Sequence, residues 1–141
     1  LARELGATHT ILAGDEPATA EIMALTGAGV RFSLDTTGAL PVMRQVIDVL
    51  APRGEAGFVT SPWGGADLGV PVGKLLGGRK LRGIHQGSSN PDIFIPRLVD
   101  LHMEGLFPFD RLVTFYPFGE IARAFREMEE GTVVKPILRF A

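Results

Sequence analysis

Val30-Arg31-Phe32-Ser33-Leu34-Asp35-Thr36-Thr37 reads as a buried strand that breaks at Gly38, and the elements after it decide the fold. Pro41 opens a helix in which Met43, Val46, Ile47 and Leu50 recur at i, i+3, i+4 and i+7, one apolar stripe. Pro52-Arg53-Gly54 then turns the chain into a short strand, Ala56 to Thr60. A strand, one amphipathic helix and a second strand predict parallel pairing through a right-handed crossover.

The same alternation extends outward in both directions. Upstream, Leu1 to Ala7 reads as the last turns of a helix, with Gly6 as its left-handed end, and Thr8 to Leu12 reads as a strand. A chain joined part-way through such a pattern carries the expectation that functional parts lie upstream of Leu1. Asp15 can cap a helix with Pro17 in its first turn; Ile22, Met23 and Leu25 form its apolar face, and Gly27 or Gly29 ends it. Downstream, the glycine-rich run from Trp63 to Lys80 carries no clear element, and Leu81 to His85 reads as another strand.

Asn90 and Pro91 look like a cap and a first helical residue, opening a helix with Ile95, Leu98, Val99 and His102 that stops at Gly105. Pro96 belongs in the first turn of that helix, or the helix starts later. Leu112 to Tyr116 is a strand, and Gly119 to Glu130 a helix with Ile121, Phe125 and Met128 on one face, ended by Gly131. Val133 to Phe140 is a last strand, placed at an edge because Pro136 cannot donate to a ladder. Composition shifts at Gly87-Ser88-Ser89, so two parts are expected, 1–87 and 88–141.

Composition narrows the function classes. The 141 residues suffice for a sizeable core, and 18 glycines with 10 prolines predict short elements separated by tight turns. A net charge of -2 argues against a nucleic-acid or anionic-membrane surface. No apolar run reaches the roughly 20 residues that span a bilayer. With no cysteine, disulfides, thiolate catalysis and cysteine-ligated metal are excluded within this stretch, and a reducing cytoplasm is compatible.

In open parallel sheets, ligands sit beyond the carboxyl ends of the strands. Here those ends carry small or polar residues: Thr36-Thr37-Gly38, Thr60-Ser61-Pro62 and Gln86-Gly87-Ser88-Ser89. Small residues let a flat ligand approach the backbone, although turns alone also call for them. Asp35 either orients a ligand hydroxyl or caps the helix after Gly38, and capping is the better reading. His9, His85 and His102 show no metal-ligand spacing; only His85, at a strand end, is placed to line a site. Lys135 either meets a phosphate or snorkels from an edge. Glu127, Glu129 and Glu130 read as a solvated helix face, since carboxylates near a helix C-terminus oppose its dipole. No Ser-His-Asp arrangement, paired carboxylates or phosphate loop is present, and G-x-G-x-x-G does not occur.

Four stretches carry a resemblance: ARELGATHTI, GVRFSLDTTGA, LRGIHQGSSNPDIFIPRLVDLHMEG and, most specifically, FPFDRLVTFYPFGEIARAFREMEEGTVVKPILRF. Over nearly all of its length the chain resembles the C-terminal part of zinc-dependent medium-chain alcohol dehydrogenases, with the long NPDIFIPRLVDL helix closest to the aryl-alcohol branch. The resemblance implies an α/β fold. Its Rossmann-like parallel sheet with flanking helices would be incomplete, the first two strands being absent, and a C-terminal α+β tail would belong to a catalytic domain.

It also implies binding roles for NAD or NADP. Thr36, Thr37 and Gly38 would border the ribose, Phe58, Val59 and Thr60 would line the nicotinamide side, and Ile84, His85 and Gln86 would offer backbone groups to the carboxamide. Lys135 matches a basic position approaching the pyrophosphate. Departures from the family pattern matter as much. The glycine-rich phosphate turn, the acidic ribose residue and the cysteine and histidine zinc ligands are absent, so zinc is expected only upstream and the chain alone is expected to lack dehydrogenase activity.

The parent would oxidise a primary, aromatic alcohol to an aldehyde. Alternatives are a fragment of a zinc-free quinone or enoyl reductase, and a non-catalytic Rossmann-like interaction module. With two strands missing, the Thr10 strand would pair directly with the Leu34 strand or hang loose, and Phe107, Phe109, Phe115 and Phe118 would be exposed. A homodimer or tetramer is expected, which the resemblance implies is joined through Leu81 to His85 and the segment just before it.

Overall fold

Asp35, Phe58 and Gly83 lie side by side at the ends of three parallel strands, and the first part of the chain is built around that alignment. A computed structural model describes residues 1–12 and 18–140. The chain divides into two compact units, Leu1–Ser89 and Asn90–Ala141.

In the first unit, α1 (Thr19–Thr26) ends at Gly27, whose φ of 72° suits a residue without a Cβ. The expected cap Asp15 and first-turn Pro17 lie outside the described residues. Next come β1 (Val30–Asp35), α2 (Leu40–Asp48), β2 (Leu50–Phe58), α3 (Val72–Leu76) and β3 (Lys80–Gly83). The sheet order is β1-β2-β3, both pairings parallel, with α2 and α3 on the crossovers. This is an α/β fold with parallel strands flanked by helices. Its core is Ile47 of α2 against Leu50 and Ala56 of β2, with Val46, Phe58 and Leu81 packed on it.

Three details of this unit depart from the sequence-based expectation. Leu50 is buried as its periodicity requires, but it is the first residue of β2 rather than part of the helix. Pro52-Arg53-Gly54 does not precede the strand but interrupts it. Val30 pairs with Leu50 while Phe32 pairs with Glu55, so β2 carries extra residues there. Arg53 takes a φ of 62°, and its N–H leaves the ladder for Gly77 O at 3.0 Å. Finally, Thr8 to Leu12 forms no strand: β1 has β2 as its partner, and Leu12 is 95% exposed. Without a ladder to join, β-branched residues alone do not make a strand. The Leu1 to Ala7 stretch is a tight turn (Leu5 N–H to Leu1 O, 3.0 Å), with Gly6 at a φ of 106°.

In the second unit, α4 (Pro91–Met103) starts as expected. The Asn90 carboxamide oxygen accepts from the Asp92 N–H at 3.0 Å, and Pro91 fills the first position. Pro96, however, lies inside the helix and not in its first turn. Its ring replaces a donor that the Asp92 carbonyl would otherwise receive, a cost this exposed helix carries. Pro96→Ala is therefore expected to stabilise the unit by about 2 kcal/mol, read as a higher urea midpoint.

β4 (Val113–Pro117) pairs in parallel with β5 (Lys135–Arg139), and α5 (Ile121–Glu129) crosses between them. Pro136 is accommodated because this sheet has only two strands, hence two edges. Tyr116 and Ala124 are buried between strand and helix, whereas Phe115 and Phe118 are each about half exposed. Among the described residues no helix is long and apolar enough to cross a membrane.

Candidate functional site

Three carboxyl strand ends meet in the first unit, and their hydrogen bonds continue past the strands themselves. The Val59 N–H donates to Asp35 O at 3.3 Å, and the Ile84 N–H donates to Phe58 O at 2.8 Å. The segments after β1, β2 and β3 are thus held as neighbours along one rim.

Asp35 organises that rim. It is the one buried charged side chain among the described residues, 1% exposed. Its carboxylate accepts from the Thr37 N–H (3.2 Å), the Thr37 hydroxyl (2.8 Å), the Gly38 N–H (3.0 Å) and the Thr60 hydroxyl (3.3 Å). Burial pushes its pKa up, but the Thr37, Gly38 and Thr60 donors outweigh it and hold the carboxyl below its ordinary value. Asp35 is thus neither a ligand-orienting group nor the helix cap: Ala39 occupies the cap position of α2. It folds the Thr36-Thr37-Gly38 turn and ties that turn to the end of β2. The spacing Asp-Thr-Thr-Gly carried this signal, because an aspartate favours a turn in which it accepts from amides two and three residues on.

Gly38 is required at that turn. Its φ is +70°, and a Cβ there would come within 3.0 Å of Ser61 O and 3.2 Å of Thr60 Oγ1. Thr37 Oγ1 also accepts from the Ala39 N–H at 3.1 Å, which leads into α2. The Thr37 and Thr60 hydroxyl hydrogens are therefore committed to Asp35, whereas Thr36 projects into solvent. Phe58 and Ile84 are half-buried and supply apolar walls, while Val59, His85 and Gln86 are exposed. Ile84 lies over Gly57, where a Cβ would come within 2.7 Å of its Cδ1.

Beyond β3 the chain turns at Gln86-Gly87-Ser88-Ser89, as its small residues suggest, but by an unusual backbone path. Gln86, Gly87 and Ser88 have φ values of 47°, 71° and 50°. Left-handed conformations at two non-glycine residues store strain of about 1–3 kcal/mol each, the kind of cost that concentrates at ligand-binding turns. The Ser88 N–H closes this turn on His85 O at 2.8 Å.

Of the residues singled out from the sequence, Thr36, Thr37, Gly38, Phe58, Val59, Thr60, Ile84, His85 and Gln86 fall on this rim. Lys135 belongs to the second unit, as the first residue of β5, beside a hollow of about 190 Å³ that Ile121, Phe125 and Met128 of α5 also line. No cluster of three metal-ligating side chains occurs among the described residues, and the chain has no cysteine, so the residues present do not fit a zinc ion.

The family model described as "Zinc-binding dehydrogenase" matches residues 1–101. Geraniol dehydrogenase of Castellaniella defragrans is 42% identical over 144 residues, covering 99% of this chain and 38% of that protein. Among solved structures, an alcohol dehydrogenase zinc-binding domain protein from Burkholderia ambifaria superposes with a TM-score of 0.93 at 45% identity, over 99% of this chain and 38% of that one. Benzyl alcohol dehydrogenase from Acinetobacter calcoaceticus superposes with a TM-score of 0.94 at 40% identity, over 99% and 39%. The chain spans about 38% of the length of the curated relative it resembles at 42% identity. With its parallel sheet, its rim of strand ends and a family match across the whole first unit, the chain belongs to the zinc-binding dehydrogenases.

Proposed function

We propose that this chain is the nicotinamide side of the cofactor-binding region of a zinc-type alcohol dehydrogenase that uses NAD or NADP. The observation that carries the reading is the rim itself, three strand ends level with one another inside the stretch that the family model matches. Residues 1–87 belong to the nucleotide-binding domain and 88–141 to the catalytic domain in this reading. The parent enzyme oxidises a primary alcohol, and the two relatives named for geraniol and benzyl alcohol favour an allylic or aromatic one. We place it in the cytoplasm, as a homodimer or tetramer joined through the Leu81 to His85 region.

The residues present fit the nicotinamide half of the cofactor. Phe58 and Ile84 give half-buried apolar walls for a flat ring. Val59 with Thr60 and His85 with Gln86 are exposed residues just beyond the ends of two adjacent strands, which suits a planar group approached from its edge. Thr36, Thr37 and Gly38 bound the side where a ribose would lie. Lys135, in the second unit, is assigned to a phosphate by the family resemblance alone. When bound, the nicotinamide supplies the hydride acceptor. The chain's own part is to orient it: the Asp35 network keeps the first turn from moving against the second, so the ring's position is set before binding. Among the described residues no cluster offers zinc a ligand set, and no step of zinc chemistry is assigned to them.

Two measurements test this reading. Titration of the purified chain with NADH, followed by backbone amide shifts, is expected to move Val59, Thr60, His85 and Gln86 first; shifts confined to other segments would overturn the site. Incubation with benzyl alcohol and NAD or NADP is expected to yield no aldehyde, and turnover by the isolated chain would overturn the division of labour proposed for it.

A further inference from the structure

β1 ends the first sheet on the side away from β2, and among the described residues no strand lies beyond it. The direction of its main-chain groups follows from one bond. Asp35 O accepts from the Val59 N–H, so Asp35 turns its polar groups toward β2, and alternation along the strand makes Ser33 do the same. Phe32 and Leu34 therefore aim their N–H and C=O groups outward. Among the described residues no hydrogen bond outside the ladder reaches either of them.

The side chains along this edge are apolar and in solvent. Phe32 is 67% exposed and Leu34 54%, and with Ile22 and Leu25 of α1 they line a hollow of about 450 Å³. Both stand on one face of the strand. Ser33 stands on the other, where its hydroxyl donates to Val46 O at 2.6 Å. Edge strands are ordinarily blunted by a lysine or a proline, and β1 contains neither.

Charge selects the partner. Arg31-Phe32-Ser33-Leu34-Asp35 has a cation at one end, an anion at the other and an apolar residue on each side of Ser33. Antiparallel pairing with a second copy, about a two-fold axis at Ser33, sets Phe32 against Leu34 and Arg31 against Asp35. Parallel pairing in register would set like charges together. Asp35 takes its hydrogen bonds from the neutral donors of Thr37, Gly38 and Thr60, so among the described residues no cation balances it. Arg31 has the Phe32 ring at 5.4 Å and, among the described residues, no carboxylate in ion-pair reach. Because Asp35 is 1% exposed, Arg31 of the second copy would act on it through the field across the strand end and not by contact.

We propose that β1 is a self-association edge, to which a second copy of this chain adds its own β1 antiparallel and centred on Ser33. Phe32 and Leu34 of each copy exchange main-chain hydrogen bonds with Leu34 and Phe32 of the other, and the order β3-β2-β1 continues into β1-β2-β3 of the copy. This is the edge opposite β3, so the inference is independent of the cofactor reading and of the interface placed at Leu81 to His85.

The experiment is sedimentation equilibrium of the full chain over a concentration series, with hydrogen exchange of the same samples read amide by amide. The chain is expected to associate, and the Phe32 and Leu34 amides to slow as concentration rises while those of Ser33 and Asp35 stay unchanged. Phe32→Pro removes an outward N–H that β2 does not use, and is expected to weaken association about a hundredfold. Arg31→Glu sets like charges together and is expected to weaken it about tenfold, the loss shrinking at high salt. If Phe32→Pro does not fold, Arg31→Glu and the exchange rates still decide. A monomer with fast Phe32 and Leu34 amides overturns the proposal and leaves the edge to a different polypeptide. A monomer in which both amides exchange slowly overturns it too, because the edge is then covered from within the chain. An associated chain with both amides fast, or one whose association neither substitution weakens, joins through another surface and equally overturns it.

Discussion

Asp35→Ala is expected to destabilise the first unit by about 3 kcal/mol, seen as a lower urea midpoint with the slope unchanged. The size reflects the donors left behind. The Gly38 N–H, the Thr37 N–H and hydroxyl and the Thr60 hydroxyl all lose one acceptor at a position 1% exposed, where water does not replace it without opening the turn. Asp35→Asn separates charge from shape. It keeps one acceptor oxygen but presents an NH2 to groups that are themselves donors, so it is expected to lose most of the same stability.

Acid unfolding gives an independent reading of the same site. The folded-state pKa of Asp35 lies below its ordinary value of 3.8, so the carboxylate's contribution is complete above that value. It is lost as pH falls through the lowered folded value, where the protonated form ceases to accept from every donor. The unsubstituted chain is expected to lose stability steeply below about pH 4. The Asp35→Asn chain, lacking this titration, follows a shallower curve. Superimposable acid curves for the two proteins would show that Asp35 is not the organiser of the rim. The functional corollary is that NADH binding weakens with the turn: the variant stays folded at neutral pH in the cold, but its Thr36-Thr37-Gly38 segment is no longer tied to Thr60.

How far the sequence revealed this arrangement depends on the range of the interaction involved. Met43 and Ile47 were legible because helical periodicity is local, and both are buried. Gly27, Gly105 and Gly131 were legible as helix ends because a left-handed residue after a helix selects glycine. The three-segment rim could be placed because parallel sheets put ligand sites at carboxyl strand ends wherever the strands fall.

Failures came where a second strand or helix decides the outcome. Thr8 to Leu12 has strand-like residues, but whether it becomes a strand depends on a neighbour that its own sequence does not encode. Pro52-Arg53-Gly54 looks like a turn in isolation and becomes an irregularity within β2 because Arg53 is held by Gly77, and the Leu50 carbonyl by Arg79 at 2.9 Å. Glu127 belongs to an acidic run that reads as solvent-facing, and only the arrival of Tyr116 from β4 distinguishes it. Gln86 and Ser88 carry no compositional mark of a positive φ at all.

Gly29→Ala is expected to cost about 4 kcal/mol and to disrupt the start of the β1–β2 pairing. Gly29 has a φ of +98°, and a Cβ there would lie 2.5 Å from Val49 O, 2.7 Å from Ala51 N and 3.0 Å from Leu50 C. Every one of those atoms is main chain, so no rotamer change relieves the overlap; the strands themselves must separate. They cannot do so cheaply, because the next residue, Val30, donates its N–H to the same Val49 O at 2.8 Å and pairs with Leu50, which is 1% exposed in the core. Gly27 provides the control two residues away. Its φ is +72°, also left-handed, but a Cβ there meets nothing within 4 Å. Gly27 has a ψ of -58°, a strained γ-turn conformation, so Gly27→Ala carries only that conformational penalty, about 2 kcal/mol. The difference between the two variants in urea unfolding, about 2 kcal/mol, reports the close approach of β1 to β2 over and above backbone strain. Equal losses would mean that the strands are not in contact at Gly29. The alignment of Asp35 with Phe58 at the far end of the same pair would then lose its support, and with it the rim that the cofactor reading requires.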